Sequence, residues 1–116
     1  MKRSLSRNER LRTSRDIREL FSQAPRVDAR GVKLLYRANG GSTTRFAVVV
    51  ARGCGSAVRR NREKRLTREA YRTLKESIPA GRDILFLVAR FGIPLAERRA
   101  IMAQLLGRAG LRGRVV

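Results

Sequence analysis

Apolar residues recur along the chain at two different spacings, and the switches between them mark out the elements. Ile17, Leu20 and Phe21 share one face at helical spacing. With Ser14 placed to cap and Asp16 in the first turn, the pattern predicts a short helix over 14–23, closed by Pro25. Segments 31–37 (GVKLLYR) and 45–51 (RFAVVVA) are rich in β-formers, and Asn39-Gly40-Gly41-Ser42 between them is a turn signal of the hairpin kind. The two are expected to pair antiparallel. Glycines in Arg52-Gly53-Cys54-Gly55 lead out of the second strand and Ser56 can cap a long helix, which runs to about residue 77 before Pro79-Ala80-Gly81 stops it. Residues 83–89 (DILFLVA) are apolar at almost every position, as in a strand buried on both faces. Pro94 then opens a last helix with an apolar stripe of Leu95, Ile101, Met102, Leu105, Leu106 and Ala109, ending at Gly110.

The order helix, hairpin strands, long helix, strand, helix predicts an α+β fold. The expected form is a small two-layer sandwich, with an about four-stranded mixed sheet packed with three helices, as in ribosomal-protein-like domains. The long helix should act as a crossover on one face of the sheet. A chain of 116 residues suits one domain, assigned to 13–110. Residues 1–12 carry five Arg or Lys and almost no apolar period, which predicts a loosely packed basic arm, and 111–116 read as a frayed tail.

The long helix carries a second pattern. With Arg59 at zero and about 100° per residue, Leu66, Ala70 and Leu74 cluster near 20°, whereas Asn61, Lys64, Arg65, Arg68, Arg72 and Lys75 fall at roughly 140° to 240°. One side should dock on the sheet while five cations and an amide project as a ridge. Arg60 and Arg62 flank that ridge on opposite edges, so Arg60-Asn61-Arg62 fans out and cannot converge on one phosphate. Repulsion at this density destabilises a lone helix by a few tenths of a kcal/mol per pair, and Glu63 and Glu69 should offset only part of it. The arrangement calls for a polyanionic partner. If about six of these cations meet phosphates, binding should weaken with salt at a log–log slope of roughly five.

Charge supports the same direction. The chain holds 28 Lys plus Arg against nine Asp plus Glu, a formal net charge of +19, which favours association with nucleic acid. Only four of the cations are lysine, and arginine's planar fork suits phosphates and base faces, although a GC-rich genome produces the same ratio. Catalytic means are scarce. The chain has no histidine, which removes His-based acid–base, triad and metal chemistry, and its acidic residues are spread singly, without the paired spacing of two-metal sites. No Walker or dinucleotide fingerprint occurs. The lone Cys54 forms no internal disulfide, and the longest apolar stretches are far too short to span a bilayer. A cytoplasmic protein with no membrane and no small-molecule substrate is expected. Of the six aromatics, Phe46 and Phe86 suit the core, while Phe21 and Tyr36 are candidates to line a groove where unpaired bases stack.

From Val48 to Ala70 the chain reads VVVARGCGSAVRRNREKRLTREA, a hydrophobic strand running through a basic turn into Arg-Asn-Arg-x-Lys-Arg and further arginines. This resembles the signature of the protein subunit of bacterial ribonuclease P, and the order of elements agrees over about residues 8–110. The resemblance implies a subunit of a ribonucleoprotein endoribonuclease. Its RNA, with Mg²⁺, would carry the chemistry of removing the 5′ leader from precursor tRNA. The protein would bind that catalytic RNA, in a 1:1 complex, through Arg52, Arg60, Asn61, Arg62, Lys64, Arg65, Arg68 and Arg72. It further implies a cleft for the single-stranded leader between the first helix and the sheet, at Ile17, Phe21, Tyr36 and Phe46. Two positions depart from the family pattern. Ile17 stands where an aromatic is usual, and Ala51-Arg52-Gly53 stands where Ser-Lys-Lys is usual, which shifts the expected leader grip toward Phe21, Tyr36 and Arg52.

Composition alone admits other functions. A small ribosomal or other structural RNA-binding protein would share the charge, and would be told apart by sedimenting with ribosomal subunits. A self-sufficient arginine-based nuclease would cleave precursor tRNA without RNA. A DNA regulator would place the basic helix in a major groove, but no short helix and turn precede it.

Overall fold

The computed structural model describes residues 9–111 of the chain. Three helices, α1 (Ser14–Gln23), α2 (Ala57–Leu74) and α3 (Leu95–Arg108), surround four strands, β1 (Arg26–Ala29), β2 (Val32–Ala38), β3 (Arg45–Val50) and β4 (Arg82–Val88). The open mixed sheet has the order β1-β2-β4-β3, with β3 and β4 parallel and the other pairs antiparallel. The α+β class, the three helices and the mixed four-stranded sheet are as expected.

The expected antiparallel pairing of the 31–37 and 45–51 segments does not occur, because β4 lies between them. Ile84, Leu85, Phe86 and Val88 are fully buried, and only a central position covers both faces of so apolar a strand. The Asn39–Ser42 turn signal serves a different purpose. The Asn39 side chain accepts from the Gly41 amide (2.8 Å) and donates to the Thr43 carbonyl and to Asp83 Oδ1 (3.0 Å each). The loop therefore wraps the start of β4. Gly81, at φ +80°, lies so close beneath it that a Cβ there would sit 2.6 Å from the Gly41 carbonyl oxygen. β1 pairs with β2 through the turn at Arg30-Gly31, a strand the spacing did not suggest.

Alternation along the strands sorts side chains to two faces. Val32, Leu34, Phe46, Ile84 and Phe86 meet Ala70, Tyr71 and Leu74 of α2 and Ile101, Met102, Leu105 and Leu106 of α3. Leu35, Ala47 and Leu85 on the other face meet Leu20 of α1 and Leu11. Helices thus cover both faces, α1 adding a short third layer to the expected two. Leu95 is the exception in the α3 stripe: it is exposed, whereas Arg98, outside that stripe, is fully buried. The helix caps fall close to expectation, with Thr13 rather than Ser14 capping α1 and Ser56 accepting from the Arg59 amide.

The basic arm expected over 1–12 lies partly outside the described residues, but its described end is docked. The Leu11 amide donates to the Phe46 carbonyl (2.8 Å), Arg10 forms a parallel bridge to Phe46, and Leu11 is buried. Leu111, expected to fray, is also buried, while 112–116 lie outside the described residues.

Candidate nucleic-acid interface

The roll of α2 decides which cations face outward. Its buried residues are Glu63, Thr67, Ala70, Tyr71 and Leu74, an arc centred about 50° from the predicted stripe of Leu66, Ala70 and Leu74. Two contacts set that roll. The Tyr71 ring stacks on Phe46 of β3 with centroids 3.9 Å apart and planes 9° from parallel. Glu63, expected to offset part of the repulsion along the helix, is turned inward to Arg98 of α3. Arg98 is fully buried and donates to Glu63 Oε1 (2.7 Å), Thr67 Oγ1 (3.0 Å) and the Ile93 carbonyl (2.8 Å), while Glu63 Oε2 accepts from the Gly92 amide (2.9 Å). Every polar atom in the cluster is partnered, as burial of two charges requires.

With that roll, Asn61, Arg62, Arg65 and Arg68 are exposed, and Arg60, Lys64 and Arg72 are partly exposed. Arg52 is exposed in the 3-10 turn at Arg52–Cys54 that leads from β3 into α2. Gly55, at φ +88°, completes that turn, and a Cβ there would lie 3.2 Å from Cδ of Arg59. Lys75 leaves the predicted ridge. Its ammonium meets the Glu9 carboxylate at 3.1 Å. Arg72 pairs with Glu69 on its own helix.

Among the described residues, the acidic side chains pair with cations outside the remaining ridge, even where Glu69 stands on α2 itself. Seven of the nine carry ion pairs among the described residues: Glu9, Asp16, Glu19, Glu63, Glu69, Asp83 and Glu97. None of those pairs reaches Arg60, Arg62, Lys64, Arg65 or Arg68 among the described residues. Asp83, buried at the start of β4, gathers Arg45 (2.8 Å), Arg37 (3.0 Å) and Asn39, and Asp16 and Glu19 of α1 close on the same arginines. Burial acts to raise the Asp83 carboxyl, but the hydrogen bonds from Arg45, Asn39 and Arg37 outweigh it and hold the group below the ordinary carboxylate value. This cluster ties α1 to the sheet.

The four residues expected to line a leader cleft do not come together. Ile17 and Phe46 line a groove of about 310 Å³ at the open edge of β3, with Arg10, Arg12, Val48 and Arg68. Phe21, one turn beyond Ile17, packs partly buried on the α1 face. Tyr36 points to the opposite face, with Val32 and Leu34, because β2 alternates and Leu35 takes the α1 side. Tyr36 therefore does not share the α1 face with Phe21, where Leu35 lies instead. Spacing could have found it, since Val32, Leu34 and Tyr36 share parity. Arg98 also left a signal, a charge at a core position of the α3 stripe, three residues before Ile101. The Asp83 cluster left none, because its partners come from four separate segments.

No helix among the described residues is long and apolar enough to cross a membrane, and no group of three His, Cys, Asp or Glu there could hold a metal ion. The ribonuclease P family profile matches residues 5–109. The ribonuclease P protein component of Thermotoga maritima is 39% identical over 87 residues, covering 75% of this chain and 74% of the relative. That of Petrotoga mobilis is 37% identical over 84 residues, covering 72% and 71%. The solved RNase P protein from Thermotoga maritima superposes with a TM-score of 0.76 at 34% identity, over 86% of this chain and 96% of that one. The Staphylococcus aureus RNase P protein, at 23% identity, shares the fold with a TM-score of 0.78 over 90% and 98%. With a profile match across nearly the whole length and relatives well above 30% identity, the chain belongs to the family of bacterial ribonuclease P protein components.

Proposed function

We propose that the outward face of α2 is the surface by which this chain holds the catalytic RNA of ribonuclease P. The groove at the β3 edge would receive the single-stranded 5′ leader of precursor tRNA. The observation that carries the first part is the separation of charge. Arg60, Arg62, Lys64, Arg65 and Arg68 project from one helix without an acidic partner among the described residues, while seven of the nine acids are paired there with other cations. Unneutralised guanidinium groups at this density are stabilised by phosphates, and their planar forks suit bidentate contact. Asn61 sits among them as a neutral donor and acceptor able to meet a base edge or a 2′-hydroxyl. Arg52 extends the cationic surface past the helix start.

For the leader, the β3-edge groove combines the apolar side chains of Ile17, Phe46 and Val48 with Arg10, Arg12 and Arg68 around it. That is the combination single strands use, apolar surface for base faces and cations for the backbone. Phe21 supports the wall carrying Ile17. Arg68 belongs to both surfaces, so leader and catalytic RNA would meet at one edge of the sheet. The reaction chemistry and its Mg²⁺ would reside in the RNA, in a 1:1 complex, the protein contributing affinity and placement.

Reconstitution tests this function. Cleavage of precursor tRNA at low Mg²⁺ is measured with RNA alone, protein alone and both. Activity only in the combined sample is expected. Cleavage by the protein alone, or no gain from adding it to the RNA, would refute the proposal.

A further inference from the structure

A second concave site lies on the opposite flank of α2, between its first half and the loop from β4 to α3. Its volume is about 460 Å³, and Leu66, Ile93, Pro94 and Leu95 line it with Arg59 and Arg62. That size falls in the range of roughly 300–1,000 Å³ typical of small-ligand pockets. Leu95 is 41% exposed and Val58 is 78% exposed, and these are the two exposed large hydrophobic residues among those described. Both belong to the same surface, since Val58, Arg62 and Leu66 follow one another at four-residue spacing along α2. The Arg59 guanidinium stands 5.0 Å from the centre of the Phe91 ring, stacked against the loop that forms the far wall.

Glu63 is the one acidic residue among the described ones that line this site, and both its oxygens are taken, one by Arg98 and the other by the Gly92 amide. The pocket thus presents an apolar lining with two arginines and no available carboxylate. An apolar ligand would leave the charges of Arg59 and Arg62 without an anion, and a bare phosphate would leave the leucines and Pro94 exposed. A nucleotide uses both, its base face against the aliphatic lining and its phosphate against the guanidinium groups.

We infer that this pocket receives a single unstacked nucleotide of the catalytic RNA, a bulged or looped base lifted from its helix. The inference rests on the proposed function, because the pocket is continuous with the α2 ridge through Arg62 and would be reached by the same RNA. It adds a base-binding contact to a surface otherwise built for backbone phosphates. Such a contact gives register: the ridge can slide along a duplex, whereas a captured base fixes one position.

The test uses the full chain assembled with the catalytic RNA. A photoreactive benzophenone amino acid at position 95 is expected to crosslink to one unpaired nucleotide of that RNA. Leu95→Ala, an exposed position with good helix propensity, should weaken assembly about tenfold without changing the salt slope, because the lost contact is apolar. Leu95→Phe should bind at least as tightly as the unaltered chain. Crosslinks confined to paired nucleotides, to precursor tRNA or to protein, or a Leu95→Ala affinity equal to wild type, would overturn the pocket while leaving the ridge intact. Failure of the unaltered chain to bind the catalytic RNA would overturn both.

Discussion

Removing Arg98 should unfold much of the advantage that holds α2 in its roll. Arg98→Met deletes the donors to Glu63 Oε1, Thr67 Oγ1 and the Ile93 carbonyl, and leaves a carboxylate of low exposure with only the Gly92 amide. Breaking a buried ion pair from one side costs about 3–5 kcal/mol. For a domain of this size that corresponds to a fall in Tm of more than about 12 °C. Glu63→Met strands the guanidinium and should cost a similar amount. The double variant removes both charges, so the desolvation penalty vanishes with them. What remains is the loss of partners for the Gly92 amide and the Ile93 carbonyl, about 1–3 kcal/mol. The double should therefore be at least as stable as either single variant, with a coupling of about 3 kcal/mol or more in a denaturant-unfolding cycle. A double variant whose loss equals the sum of the two singles would refute the ion pair as a coupled unit. Both singles should also bind the catalytic RNA less tightly than their folded fraction accounts for, because the roll that presents Arg65 and Arg68 depends on this pair.

Acid should weaken the attachment of α1 through Asp83. Its folded pKa lies below the ordinary value, so its stabilisation is complete above about pH 4 and is lost as pH falls through the lower folded value. Asp83→Asn should flatten that part of the stability–pH curve, which urea unfolding from pH 2 to 7 would detect; an unchanged curve would count against the cluster. Leader recognition should follow the face of the sheet: Ile17→Ala and Phe21→Ala should reduce the preference for precursor over mature tRNA in the assembled enzyme, whereas Tyr36→Ala should leave it unchanged. A loss with Tyr36→Ala alone would refute the placement of the leader on the β3 edge. Phe46→Ala should cost about 3–5 kcal/mol, measured by thermal unfolding, since it removes a buried ring stacked on Tyr71.

Elements with a strong period were legible in the sequence, and the contacts among distant segments were not. Ser56, Pro79 and the apolar run of β4 bounded the long helix and the buried strand closely, because capping and burial act locally. The partner of each strand was a different matter. Nothing in the 31–37 and 45–51 segments reveals that a strand some thirty residues later will separate them, since that outcome is decided by the fully apolar β4 competing for the centre of the sheet. At the site, the helical wheel finds the ridge through Asn61, Arg65 and Arg68 but places Lys75 on it, while Glu63, read as a counter-charge to the ridge, falls at about 40° inside the wheel's own docking arc. Each is held by an ion pair with a residue far along the chain, Lys75 by Glu9 and Glu63 by Arg98, which a wheel cannot contain. Tyr36 is a groove candidate by its aromatic ring and by the resemblance, but the parity of its strand sends it to the opposite face, with Val32 and Leu34.

Salt-dependent binding of the full chain to the catalytic RNA tests the central claim most directly. Five outward cations without acidic partners among the described residues should give a log–log slope of about four. Arg65→Ala and Arg68→Ala should each lower that slope by somewhat less than one, while Arg108→Ala, whose guanidinium donates to the Asp28 carbonyl at the far end of α3, should leave it unchanged. A slope indifferent to Arg65 and Arg68, or one that moves equally with Arg108, would contradict the assignment of the α2 ridge as the RNA surface.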